Sequence, residues 1–297
     1  MIMRTLLLAF ISLFILACGE GKVSVDPNQY EAKISVEGIL VPHQKVERIF
    51  VWRNFRVDAN LQQLPLALPN ADVFITDLQT GTAYRLQYNP QEAYFEYIGT
   101  ELQIDYGKSY RLDARATIDG LDLETSATTT VPNAGLNIVT SNFDSLKYYQ
   151  RDDAGNLLNF DIIFERSPGT NFYLSTALAI DADLTNFVYE NPFEKYSENE
   201  LRDDFDDRRY EFEWIQDTPL TPGQSNIELF WWDLWFYSRY RVIIYAIDGN
   251  YQDFLRTYDE VEELDGNYHE PVFHFEGDGI GVFGSAVADT IYLKVTQ

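Results

Sequence analysis

The 297-residue sequence has one cysteine, three histidines, two methionines and only 22 lysines and arginines against 47 aspartates and glutamates. Each scarcity excludes something. A lone cysteine closes no disulfide within the chain, so stability has to come from packed cores. Three histidines leave little material for a Ser/His/Asp constellation or a histidine-rich metal site. The net charge of −25 opposes contact with nucleic acid and with anionic headgroups. There is no G-x-S-x-G elbow, phosphate loop or dinucleotide fingerprint. The sequence therefore offers no catalytic residues, no cofactor and no metal site, and the expectation is a non-enzymatic protein. With 47 acids some carboxylate pair suited to glycoside hydrolysis is available in any fold, so an extracytoplasmic, carbohydrate-active hydrolase is the alternative.

What the chain does have begins at its N-terminus. Arg4 supplies a positive charge, and Leu6 to Leu16 is an apolar run of eleven residues. At 1.5 Å per residue such a run falls well short of a ~30 Å hydrocarbon core, so it reads as a signal peptide rather than a spanning helix. Ala17 and Cys18 follow, and Ile15-Leu16-Ala17-Cys18 resembles the lipobox of signal peptidase II substrates. The expected organisation is a signal peptide over 1–17, lipid on Cys18, and a polar tether over 18–30. Each buried CH₂ contributes roughly 0.8 kcal/mol, so several acyl chains on one cysteine anchor stably. Gly19 stands after the cysteine in place of the aspartate that retains such proteins at the inner membrane. The expected location is the outer membrane, with the periplasmic or cell-surface side left open.

From Ala32 the pattern is β. Twenty tyrosines, twenty phenylalanines and five tryptophans supply strand-favouring residues. Short alternating segments recur between turn signals, among them Gln79-Thr80-Gly81 and Asp119-Gly120. Gly107-Lys108-Ser109-Tyr110 has the look of a tyrosine corner. These features predict an all-β fold: an immunoglobulin-like or prealbumin-like β-sandwich over 31–132, then a second β-rich domain over 133–297 with a long acidic loop and one short helix. Tyr251, Phe254, Leu255 and Tyr258 fall on one face of that helix, predicted over 250–263. Residues 190–209 read as a charged surface loop with room for a short helix.

Two acidic stretches have the oxygen chemistry of Ca²⁺ ligands without the spacing of a calcium loop: Asp203, Asp204, Asp206 and Asp207, and the turn Asp152 to Asn156. His269 and His274 are spaced wrongly for a zinc protease helix, and Pro271 lies between them. His274 and Glu276 are expected on one face of a strand. The most unusual stretch is Phe230 to Tyr237, which holds three of the five tryptophans. Read as a strand, it sends Phe230, Trp232, Leu234 and Phe236 one way and Trp231, Asp233, Trp235 and Tyr237 the other. One face would be core. The other, with Trp231, Trp235 and Tyr237, would be an aromatic surface for a partner.

Several motifs recur together: the lipobox, Val36-Glu37-Gly38, Ala71-Asp72-Val73, Gly107-x-x-Tyr110, Asp144-Ser145-Leu146, Tyr251-x-x-Phe254-Leu255, Glu270-Pro271-Val272 and Gly279 to Gly284. In this order the chain resembles an uncharacterised lipoprotein family of the Bacteroidota known as domain of unknown function 4249. Glu276-Gly277-Asp278 departs from the family's usual Asn and Gly before the last motif. The resemblance implies an outer-membrane accessory lipoprotein with a TonB-dependent receptor as partner in nutrient uptake. It implies no reaction and carries over no site residue.

Overall fold

The computed structural model describes residues 30–56, 59–60, 65–189, 191–192, 195–215, 223–259 and 270–297. Cys18, the signal peptide, most of the tether and His269 lie outside the described residues.

The first half of the chain supplies β1 (Ile34–Leu40), β2 (Phe50–Arg53), β3 (Asp72–Asp77), β4 (Thr82–Arg85), β5 (Gln87–Asn89), β6 (Tyr94–Glu96), β7 (Ser109–Ile118) and β8 (Leu121–Thr130). Next come β9 (Asn137–Ser141), β10 (Ser145–Lys147), β11 (Phe160–Glu165) and β12 (Phe172–Ala179). Helix α1 (Glu198–Arg208) precedes β13 (Tyr210–Ile215), β14 (Gln224–Leu229) and β15 (Arg239–Ile247). Helix α2 (Gly249–Asp259), β16 (Glu276–Gly277) and β17 (Gly279–Thr296) close the chain. The protein is mostly β, as the composition suggested.

Local chemistry sets the turns. Asp119 and Gly120 both take positive φ, 53° and 81°, the geometry of a two-residue hairpin turn between β7 and β8. Gly81 does the same service in the β3–β4 hairpin with φ of 71°. The tyrosine corner is present. The Tyr110 hydroxyl donates to the Gln103 carbonyl and accepts from the Asp105 amide, both at 2.9 Å. Helix α1 begins at a capping box, where Ser197 accepts from the Glu200 amide and the Glu200 carboxylate accepts from the Ser197 amide. The expected loop over 190–209 thus carries a full helix, with the four acids of 203–207 on it.

Strand β17 ties the molecule together. Its first part pairs parallel with β1, from Ile34↔Gly279 to Leu40↔Ser285. Its second part pairs antiparallel with β15, from Ile247↔Ala286 to Arg239↔Lys294. The resulting sheet runs β13-β12-β15-β17-β1-β2, with β10 added on β17. Pairing therefore crosses the expected division at residues 132 and 133. A five-stranded sheet, β16-β8-β7-β3-β4, and a three-stranded sheet, β14-β11-β9, complete the sandwich layers with the β5–β6 hairpin. Val36 and Val51 on the large sheet share the core with Val73 and Leu112 of the five-stranded sheet. Val242 and Ile244 on the same large sheet share that core with Ile162 and Phe164 of the three-stranded one. Most of the buried apolar side chains form one cluster that runs through both halves, and Leu174, Ile247 and Ala286 form a second, smaller one.

Candidate functional site

The aromatic stretch is not a strand, and the expectation of one outward aromatic face is corrected. After β14 the chain makes a 3₁₀ turn over Trp231–Asp233, where the Asp233 amide donates to the Phe230 carbonyl at 3.1 Å. Side chains in such a turn rotate about 120° per residue instead of alternating. The chain then lies beside residues 186–188. The Val188 amide donates to the Trp235 carbonyl at 2.9 Å, and the Tyr237 amide to the Asn186 carbonyl at 2.8 Å. Both groups of the expected alternation are split as a result. Trp231, Leu234, Trp235 and Phe236 are buried, while Phe230, Trp232, Asp233 and Tyr237 stay half-buried.

The two buried tryptophans are held by aromatic neighbours. Trp235 stacks on Phe187 with centroids 5.8 Å apart and meets Tyr196 edge-on at 5.5 Å. The Arg208 guanidinium lies 5.0 Å over the Trp235 ring and 4.9 Å over Tyr196. Helix α1, which supplies Arg208, thus caps the cluster. Trp231 meets Tyr149 at 4.7 Å and Tyr148 at 5.3 Å, both edge-on. The cavity beneath Trp231 has a volume of about 10 Å³, room for about one water and not for a ligand.

What remains at the surface is a different pair. Phe230 and Trp232 stack at 4.4 Å with planes 7° apart. Strand alternation would place these two on the inner face, and the 3₁₀ turn brings them out instead. Beside them, burial pushes the Asp233 carboxyl up from its usual range. Tyr237 is half-buried against Tyr148 at 6.0 Å.

The remaining candidates resolve individually. His274 does not share a strand face with Glu276; its Nε2 lies 2.8 Å from Asp253 Oδ2 on α2, and only Glu276–Gly277 forms a strand there. The turn at Asp152 closes on itself. Its two carboxylate oxygens accept from the Asn156 amide and side chain at 2.8 and 2.9 Å, which lowers the Asp152 pKa. Among the described residues no group of three or more His, Cys, Asp or Glu is arranged to hold a metal ion.

Two larger clefts are present. One, of about 400 Å³, lies beside Gly107, Asn133, Asn171 and the start of α2. Among its described lining residues Asp248 is the one carboxylate. The oxygens of Asp248 accept from Thr129 Oγ1 at 2.7 Å and from the Ser285 and Tyr251 amides at 3.1 Å. Burial raises its pKa against those hydrogen bonds. Its lone pairs are committed to holding α2 in place, so it serves as a helix cap. The other cleft, of about 590 Å³, lies where β1 and β2 part. It is built from residues 37–41, 44–48 and 50 together with Glu92, Tyr94 and Ile104, which no local motif connects.

No curated protein matches this sequence. Among solved structures, the chicken CNTN1 FN1-FN3 domains match at 10% identity with a TM-score of 0.24, over 90% of this chain and 65% of that one. The chain thus spans about two thirds of that structure's length. The family model described as Domain of unknown function (DUF4249) matches residues 20–290, so this chain belongs to that family.

Proposed function

We propose that this protein is a lipid-anchored accessory protein of the outer membrane that docks on a TonB-dependent receptor and takes part in uptake without catalysing a reaction. The observation that carries the docking role is the stacked Phe230–Trp232 pair, which leaves a flat aromatic surface partly exposed. Aromatic side chains of this kind form interface hot spots because they bury a large area at a low entropic cost. Anchoring supports the same reading. Arg4, the Leu6 to Leu16 run and Cys18 supply an export signal and one lipid site. Confinement to the receptor's own membrane raises the effective concentration, so a modest contact suffices. The −25 charge steers association toward a basic receptor rim and makes it salt-sensitive.

The test has two arms. Cys18→Ala is expected to move the protein from the membrane to soluble fractions, with loss of acyl label. Phe230→Ala with Trp232→Ala is expected to abolish co-purification with the receptor encoded nearest to this gene while the protein stays folded and membrane-bound. Wild-type co-purification of that double variant would place docking elsewhere. Membrane retention of Cys18→Ala would remove the anchor from the reading.

A further inference from the structure

The return from β1 to β2 leaves part of a sheet edge open. Strand β1 stays paired with β17 as far as Leu40↔Ser285, but its pairing with β2 ends at Glu37↔Phe50. The Ile34 amide donates to the Asp278 carbonyl on the β17 side. Main-chain groups alternate along a strand, so those of Val36, Gly38 and Leu40 also face β17, and those of Ser35, Glu37 and Ile39 face the β2 side. Ser35 and Glu37 find Trp52 and Phe50 there. Among the described residues no strand lies opposite Ile39 on that side. No hydrogen bond joins the Ile39 amide or carbonyl to any described residue on that side.

The cause is a change of partner in the returning chain. Arg48 takes a left-handed φ of 58°, and the residues around it bond to the β6 region instead of β1. The Tyr97 amide donates to the Val46 carbonyl at 2.8 Å, and Ile49 and Phe95 exchange two bonds at 2.8 and 3.2 Å. Ile49 lies beneath β1 rather than beside it: a Cβ on Gly38 would sit 2.6 Å from Ile49 Cδ1. Between the parted segments lies the cleft of about 590 Å³, bordered by Gly38 to Val41 on one wall and by Lys45, Glu47, Arg48, Glu92 and Tyr94 on the other.

We propose that this wedge is a peptide site in which a short extended segment of a partner protein, carrying lysine or arginine, adds to β1 beside Ile39. An unpaired donor and acceptor on one strand edge fit the main chain of another extended segment, and four residues of strand match the length of the open wall. The charge of the rim selects the side chains. Glu37, Glu47 and Glu92 border the cleft, and of the two cations there Lys45 is already paired with Glu96. Phe50 and Tyr94, 5.8 Å apart edge to face, give the aliphatic part of a lysine an apolar wall. This site is separate from the Phe230–Trp232 surface, and its test is independent of the docking reading.

The test uses the purified full-length chain in non-ionic detergent and the acetylated pentapeptide amide Lys-Val-Lys-Val-Lys. Hydrogen exchange is followed at the Ile39 amide. The peptide is expected to slow that exchange about tenfold or more. The same peptide with its central amide N-methylated, and a Glu-Val-Glu-Val-Glu peptide, are expected to leave it unchanged. Glu47→Lys with Glu92→Lys, both outside the core, is expected to weaken the lysine peptide at least tenfold. Unchanged exchange at Ile39 under saturating lysine peptide overturns the proposal. Equal slowing by the N-methylated peptide overturns it too, since charge alone would then be responsible. Slowing that grows with protein concentration in the absence of peptide would assign the edge to a second copy of this chain, and would also overturn it.

Discussion

The hydroxyl of Thr129, at the end of β8, donates to the carboxylate of Asp248 across 119 residues of sequence, at 2.7 Å. Thr129 Oγ1 also lies 2.7 Å from Ser285 Oγ on β17. A hydroxyl has one proton, so Thr129 shares it between two acceptors, the Asp248 carboxylate and Ser285 Oγ. Three segments from distant parts of the chain meet at this point: the first sandwich, the start of α2 and the middle of β17. Asp248→Ala leaves the Ser285 and Tyr251 amides without their acceptor and removes the helix cap. It is expected to cost about 1–3 kcal/mol in urea unfolding. Asp248→Asn keeps an acceptor and is expected to cost less.

The same residue carries a pH signature. Burial raises the Asp248 pKa in the folded protein above its unfolded value. Its contribution is therefore fully present below the unfolded pKa of about 3.9 and is lost as pH rises through the folded one. Asp248→Asn removes that loss. Stability of the variant relative to the parent is expected to improve as pH rises over this window. A constant difference across the window, measured by urea unfolding at several pH values, would show that the carboxylate titrates normally.

Tyr110→Phe tests the tyrosine corner without a change in shape. The ring is fully buried, and its hydroxyl bonds both the Gln103 carbonyl and the Asp105 amide. Removing the hydroxyl leaves an acceptor and a donor unpartnered beside the core. The expected cost is about 1–3 kcal/mol, with native near-UV circular dichroism retained.

Gly281→Ala is expected to be more damaging than any cap deletion. Gly281 has φ of 103°, a conformation that L side chains rarely adopt, and an added Cβ would collide with the Val36 carbonyl oxygen. The collision falls within the β1–β17 ladder, so relief requires the two strands to part. Backbone strain alone costs about 1–3 kcal/mol. The predicted outcome is a loss above that range, or failure to accumulate as folded protein, read by thermal melting.

These sites differ in how far the sequence announces them. Asp119-Gly120 and the Tyr110 corner are local devices, with cause and effect a few residues apart, and both were legible. Ser197 and Glu200 also spell a capping box, so α1 was readable despite the charge around it. The union of β1 with β17 was not legible, because parallel pairing of the first and last strands depends on the whole fold between them. The wedge at Ile39 follows from that union and from a left-handed Arg48, neither of which leaves a mark in composition. The aromatic stretch was misread for a narrower reason. Alternation holds only while the backbone stays extended, and the 3₁₀ turn at Trp231–Asp233 ends that.

That turn sets up the last prediction, which separates core from surface within eight residues. Trp235 is buried against Phe187, Tyr196 and the Arg208 guanidinium, so Trp235→Ala opens a cavity that a one-turn segment cannot fill. The expected cost is about 3–5 kcal/mol. Trp232 keeps part of its ring in solvent and stacks on Phe230 in near-parallel contact. Trp232→Ala loses that stack and some buried area, for an expected cost of about 1–2 kcal/mol. The two variants are compared by urea unfolding under one set of conditions. A larger loss for Trp232 than for Trp235 would mean that the strand-like alternation is right after all, with Trp232 in the core and Trp235 outside it.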